Sequence, residues 1–268
     1  MRALLASPLG FLIGVSLGAL GGGGSILAVP ALVYAAGQSP KHATTTSLVL
    51  VGLTALIGIA PHWRAGRVRF AAGTIFGLAG IGGSLLGSHL NAAVDPNVLL
   101  LAFAGLMLVA AYGMWRRVRH SPRPPGRSVG AAGATVVAPA TKIDANMVLK
   151  VVVAGSVVGF LTGFFGVGGG FVIVPGLVLA LGFTMPEAIG TSLLVIAINS
   201  AVALSTRLQA GSIEWGTVVP FTVASLLGVI VGSRLASTRD STSLQRWFVG
   251  LLVIVAGYTA VRSGLALS

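Results

Sequence analysis

Apolar residues run along this chain in eight long stretches separated by short polar gaps, at approximately 9–37, 43–62, 69–90, 97–115, 147–182, 188–206, 215–235 and 243–264. Apolar runs of about 18 residues or more predict membrane-spanning helices. The first and fifth stretches depart from that pattern. Each is too long for one straight span and carries a glycine cluster near its middle, Gly21–Gly24 and Gly166/Gly168/Gly169/Gly170. The piece on either side is about 13–15 residues, roughly 20 Å as helix, which falls short of a hydrocarbon core of about 30 Å. The fold predicted is an all-α integral membrane protein whose first and fifth segments are broken.

The two broken segments are copies. Gly21-Gly22-Gly23-Gly24-Ser25-Ile26-Leu27-Ala28-Val29-Pro30 aligns with Gly166-Val167-Gly168-Gly169-Gly170-Phe171-Val172-Ile173-Val174-Pro175 at an offset of 145 residues. The same offset, without a gap, pairs Gly14 with Gly159, Gly18 with Gly163, Gly37 with Gly182, Thr46-Ser47-Leu48 with Thr191-Ser192-Leu193, and Phe103 with Phe248. Roughly thirty identities in about a hundred aligned positions mark a duplication. The chain divides into an N-terminal repeat (1–115), a linker (116–146) and a C-terminal repeat (147–268), each repeat of four segments. Ser121-Pro122-Arg123-Pro124-Pro125-Gly126 cannot continue a helix, which fits a linker. Residues 10–24 recur inside the chain, so the first segment is expected to belong to the fold and not to a cleaved signal.

Two architectures fit the broken segments. A broken helix that crosses once gives four spans per repeat and a parallel duplication. A re-entrant hairpin gives three spans per repeat and an inverted duplication. Loop charge does not separate them, because both groupings place 13 Lys/Arg on one side and 4 on the other, with the linker on the richer side. By the positive-inside rule that side is the cytoplasm. Glycines between short helices, with a proline beyond, favour a bent tip and hence the inverted arrangement.

Composition narrows the function. Apolar residues make up 55% and charged residues 8%, and the net charge of +12 is concentrated in the linker and at segment ends. This is the placement expected for contact with anionic lipid and not for nucleic-acid binding. There is no cysteine, which excludes disulfides, thiolate metal sites and thiol redox chemistry. The five acids, Asp95, Asp144, Glu187, Glu214 and Asp240, sit at segment ends or in loops, so no intramembrane carboxylate pair or metal cage is expected. No enzyme, metal or cofactor is predicted.

Candidate binding chemistry lies at the breaks. Four successive glycines cost about 1 kcal/mol each in a helix relative to alanine, so they are not there for helix stability. Helices restarting at Ser25 and Phe171 would aim unpaired N–H groups into the membrane and create an anion site without a buried cation. Gly23, Gly24, Gly168, Gly169 and Gly170 are the backbone candidates. Thr45, Thr46, Ser47, Thr191 and Ser192 follow at matching positions and supply hydroxyl donors, although capping and back-bonding to the previous turn compete for them. Asn199 stands two turns further on, opposite Thr54 in the repeat. His42 and Glu187 are repeat partners beside the hydroxyls and are candidates for ion coupling. His62-Trp63-Arg64 reads as an interfacial anchor. The small-xxx-small pairs Gly14/Gly18, Gly83/Gly87, Gly159/Gly163 and Gly228/Gly232 predict tight helix packing.

With Gly166–Gly170, Val174-Pro175-Gly176-Leu177 and Pro186-Glu187-Ala188-Ile189-Gly190-Thr191-Ser192 in view, the chain resembles the TauE/SafE family of membrane permeases over residues 9–264 apart from the linker. The first copy departs at Ser25, where the second has Gly170, and at His42, where the second has Glu187. The resemblance implies a secondary transporter that exports sulfite or small organosulfonate anions across the inner membrane. Binding would be at the midplane, with alternating access between the repeats. The expected partners are the small anion and lipid, with room for a homo-oligomer. The rivals are a permease for another solute or a divalent metal, and a non-transporting assembly protein. Saturable flux distinguishes transport from the latter.

Overall fold

The computed structural model describes residues 7–34, 36–38, 40–91, 94, 96–120, 145–165, 170–207 and 215–267. Among them every regular element is helical. The order is α1 (Ser7–Leu20), a 3-10 turn (Gly21–Gly24), α2 (Ser25–Tyr34), α3 (Pro40–Arg64), α4 (Phe70–Asn91) and α5 (Pro96–His120) in the first repeat. The second contains α6 (Ala145–Phe165), α7 (Gly170–Leu179), α8 (Met185–Arg207), α9 (Trp215–Thr238) and α10 (Ser241–Leu267). Among the described residues eight stretches are long and apolar enough to cross a membrane, the first of them running through the bend (Pro8–Val29). α5 continues to His120, into the stretch read as linker. Most of the rest of that linker, and Gly166–Gly169, lie outside the described residues.

The first break is a reversal of the chain. Gly21 adopts φ 69°, a left-handed conformation that costs glycine nothing, and the next three glycines complete one buried 3-10 turn. A Cβ on Gly24 would lie 2.6 Å from the carbonyl oxygen of Ile13. In straight helix those residues would stand about 16 Å apart along the axis. The chain therefore folds back beside α1 before α2 begins. The short helices α2 and α7 end alike, at Gly37 (φ 73°) and Gly182 (φ 74°). The following amides, Gln38 and Phe183, donate to Leu32 and Leu177 at 3.1 and 3.2 Å.

The repeats interlock by exchanging partners: α1 packs along α9, and α6 along α4. Glycine makes both seams. Cβ atoms on Gly10, Gly14 and Gly18 would meet the carbonyl oxygens of Phe221, Ser225 and Val229 at 2.9, 2.0 and 2.4 Å. On Gly155, Gly159 and Gly163 they would meet those of Phe76, Gly80 and Ser84 at 2.6, 2.0 and 2.0 Å. Every residue of the first seam is related to the second by the same 145-residue offset. Backbones this close are what small-residue faces allow in lipid, where water gives no hydrophobic push between helices. The numbering rises together along each seam, so the paired helices are parallel. The repeat-related α3 and α8 instead cross antiparallel, with Gly52 against Ser200 and Gly58 against Leu193. Along that contact the numbering of the two helices runs in opposite directions.

Candidate functional site

The first break meets the start of α7 inside the helix bundle. A Cβ on Gly22 would fall 1.4 Å from the carbonyl oxygen of Gly170, and one on Gly170 would fall 2.3 Å from Ser25 Oγ. Ser25 and Gly170 occupy the same position in the two repeats. Ser25 donates its hydroxyl to the Gly22 carbonyl at 2.7 Å, and its amide points to the same oxygen. The helices α2 and α7 both start here, at Ser25 and Gly170, and so bring two N-terminal dipole ends together.

The individual glycines take different surroundings. Gly23 faces Leu251 and Phe248, and Gly24 faces the backbone of α1, whereas Gly21 lies against Ser192 Oγ and Gly22 against Gly170. Gly168 and Gly169 lie outside the described residues. Thr46, Ser47, Thr191 and Ser192 are buried, and Thr45 is half-buried. Ser47 and Ser192, repeat partners, make the same bond: each hydroxyl donates to the carbonyl three residues back, Thr44 and Ile189, at 2.8 Å. Each thereby uses its only proton inside its own helix, so donating to an anion requires its rotor to turn. Thr191 Oγ1 accepts the Arg69 amide at 3.1 Å. Thr54, opposite Asn199 in the repeat, shares a 2.9 Å bond with Ser225. Asn199 Oδ1 is buried with no protein partner.

His62 corrects an expectation. Trp63 is 63% exposed, as an interfacial ring should be, but His62 is only 2% exposed and packs inside the helix bundle. Its Nε2 lies 3.3 Å from the Gly18 carbonyl, and Nδ1 is buried without a partner. Its two neighbours suggest an interface, but the last turn of α3 sets the His62 Cβ against Gly190 of α8.

Glu187 accepts four hydrogen bonds from two residues. Arg69 donates Nε–H and Nη2–H to Oε1 at 3.1 and 2.5 Å, while Thr184 donates its amide and hydroxyl to Oε2 at 3.1 and 2.9 Å. The Thr184 contacts cap α8, in the manner of a capping box. The Arg69 contacts join the two repeats across 118 positions of sequence. With Arg69 34% and Glu187 22% exposed, such a pair stabilises the protein by about 1 kcal/mol or less. It borders a cavity of about 400 Å³ walled by Ile75, Met147, Val151 and Phe183. Arg69 was not among the candidates. The sequence did hold a signal for it: position 69 matches Glu214 in the repeat, so a basic and an acidic residue stand at equivalent places. Glu214 itself lies outside the described residues, and His42 is half-buried.

A duplicated all-helical protein with eight membrane-length apolar stretches and a glycine-lined central contact falls into the class of multi-pass membrane transporters. The profile of the family described as "Sulfite exporter TauE/SafE" matches residues 6–259, and the chain belongs to that family. A probable membrane transporter protein of Xylella fastidiosa (strain Temecula1) is 35% identical over 262 residues, covering 96% of this chain and 95% of its own. The probable membrane transporter protein YdhB of Bacillus subtilis (strain 168) is 26% identical over 241 residues, covering 88% and 91%. No solved structure matches the chain.

Proposed function

We propose that this transporter exports sulfite or small organosulfonate anions across the inner membrane, with the anion held where the two breaks meet and the repeats rocking about that point. The observation that carries the reading is the contact of Gly22 with Gly170, which leaves no room for a side chain and gathers two helix N-termini. The buried hydroxyls of Thr46 and Thr191 and the unpartnered Asn199 Oδ1 lie on the helices that follow each break. The test is flux of sulfite and of sulfoacetate in proteoliposomes. Saturable efflux of either supports the reading, and its absence with other small solutes moving would overturn the choice of cargo.

In the bilayer, the fold-back at Gly24 and the antiparallel α3/α8 pair support re-entrant hairpins and inverted repeats, with the linker in the cytoplasm. That arrangement places the linker and the C-terminus on opposite faces, whereas eight full spans place them on one. Thiols introduced by Ser128→Cys and, separately, Ser268→Cys test it in intact cells. Only the C-terminal thiol should react with an impermeant reagent, and equal reactivity of both would exclude the inverted arrangement. Asn199 offers a second check. Asn199→Leu removes a buried acceptor that has no partner, so thermal stability should hold or rise while flux falls. Unchanged flux would confine Asn199 to packing.

A further inference from the structure

The cavity beside Arg69 is bordered by the first turns of α4, α6 and α8, and therefore opens on the face where the linker enters α6. We propose that Arg69 and Glu187 form an anion-operated latch: an oxyanion entering this cavity takes the guanidinium, loosens its pairing with Glu187, and frees the two repeats to move. The choice of oxyanion rests on the transport reading above; the latch itself does not.

Four observations support it. The pair joins the repeats, Arg69 from the turn before α4 and Glu187 from the first turn of α8. The guanidinium is only partly used. Two of its N–H groups converge on a single carboxylate oxygen, so the paired geometry that suits a planar fork is not taken up. Sulfite and sulfonates present three oxygens, to which an arginine can offer two parallel donors. The walls are apolar, which strengthens a charge contact against competition from water, and the volume is that of a small-ligand site. Finally, Arg69 is tied to the centre. Its amide holds Thr191 Oγ1, and the adjoining Ser192 lies against Gly21 at the first break. A shift at Arg69 is thus passed to the central contact through two consecutive residues of α8.

The test compares Arg69→Gln, Arg69→Lys and Glu187→Gln with the parent protein, each shown to be folded by its thermal transition. Sulfoacetate is the probe, and its binding is measured by calorimetry. Arg69→Gln should weaken binding about tenfold or more, and Arg69→Lys less. Glu187→Gln should tighten it about threefold, because the internal competitor is gone. A purely structural pair predicts the opposite or nothing. The latch is also read without ligand. The chain has no cysteine, so a thiol introduced by Ala188→Cys, at a buried position beside Glu187, is the only one in the protein. Maleimide should modify it about threefold faster when Glu187→Gln is added. If Glu187→Gln changes neither affinity nor labelling, the latch is wrong. If the parent binds sulfate or phosphate in a way that depends on Arg69 but binds no sulfoacetate, isethionate or sulfite, the latch stands and the cargo assigned above falls; if labelling accelerates while the parent binds none of these oxyanions, the lost Thr184 cap accounts for the labelling and the latch is wrong.

Discussion

Gly22→Ala is expected to reduce anion flux by about 100-fold, the order of loss that a displacement of about 1 Å brings at a site built on positioning. The added methyl would sit 1.4 Å from the Gly170 carbonyl oxygen, with that carbonyl carbon at 2.1 Å and the Phe171 amide nitrogen at 2.9 Å. All three are backbone atoms, so no side chain can rotate out of the way. The two breaks must separate, and overpacking of this kind costs about 1–3 kcal/mol. The melting temperature should fall by several degrees while the protein remains folded and membrane-inserted. Gly105→Ala in α5 is the matched control, since a Cβ there meets nothing within 4 Å. Its flux should equal that of the parent, and its stability should hold or rise with the better helix former. Full flux in a stably folded Gly22→Ala protein would separate the central contact from transport.

The second large effect concerns the seams. Gly14→Val and Gly159→Val each place a branched side chain where a single Cβ already comes within 2.0 Å of a carbonyl oxygen, that of Ser225 in one case and Gly80 in the other. Both should lower stability by about 3 kcal/mol, and by nearly equal amounts, because the surroundings are repeat copies. The seams share no partner, so the double variant should lose the sum within about 0.5 kcal/mol. Thermal unfolding in detergent measures all three. A costly Gly14→Val beside a harmless Gly159→Val would show that the two seams are not equivalent.

Much of this architecture is legible in the chain because it is periodic. Segment length, the 145-residue offset and the interruptions at Gly21–Gly24 and before Gly170 all come from local composition repeated at a fixed distance. The glycine pairs announce close packing. What they do not announce is the partner: nothing local tells Gly14 that it faces Ser225, more than two hundred positions away. The direction of the broken segments is hidden for a different reason, since both topologies distribute Lys and Arg 13 to 4. The inverted arrangement proposed above rests instead on a three-dimensional relation, the antiparallel crossing of α3 and α8. The site shows the same division. Glu187 stands out beside its hydroxyls, while Arg69 resembles any loop arginine until the turn after α3 is seen to carry it across to the other repeat. His62 is misread because its neighbours Trp63 and Arg64 suit an interface while its own burial is decided by Gly18 and Gly190.

The exchange of helices between repeats also bears on the order of assembly. As the chain is made, α1 enters the membrane first, but the surface it fits belongs to α9, which is synthesised some two hundred residues later. Until then a groove of bare backbone in the opening hairpin must be covered by lipid or by an insertion factor. The earliest helix is therefore among the last to settle, and a chain cut within the linker should yield an N-terminal fragment that waits, incomplete, for its other half.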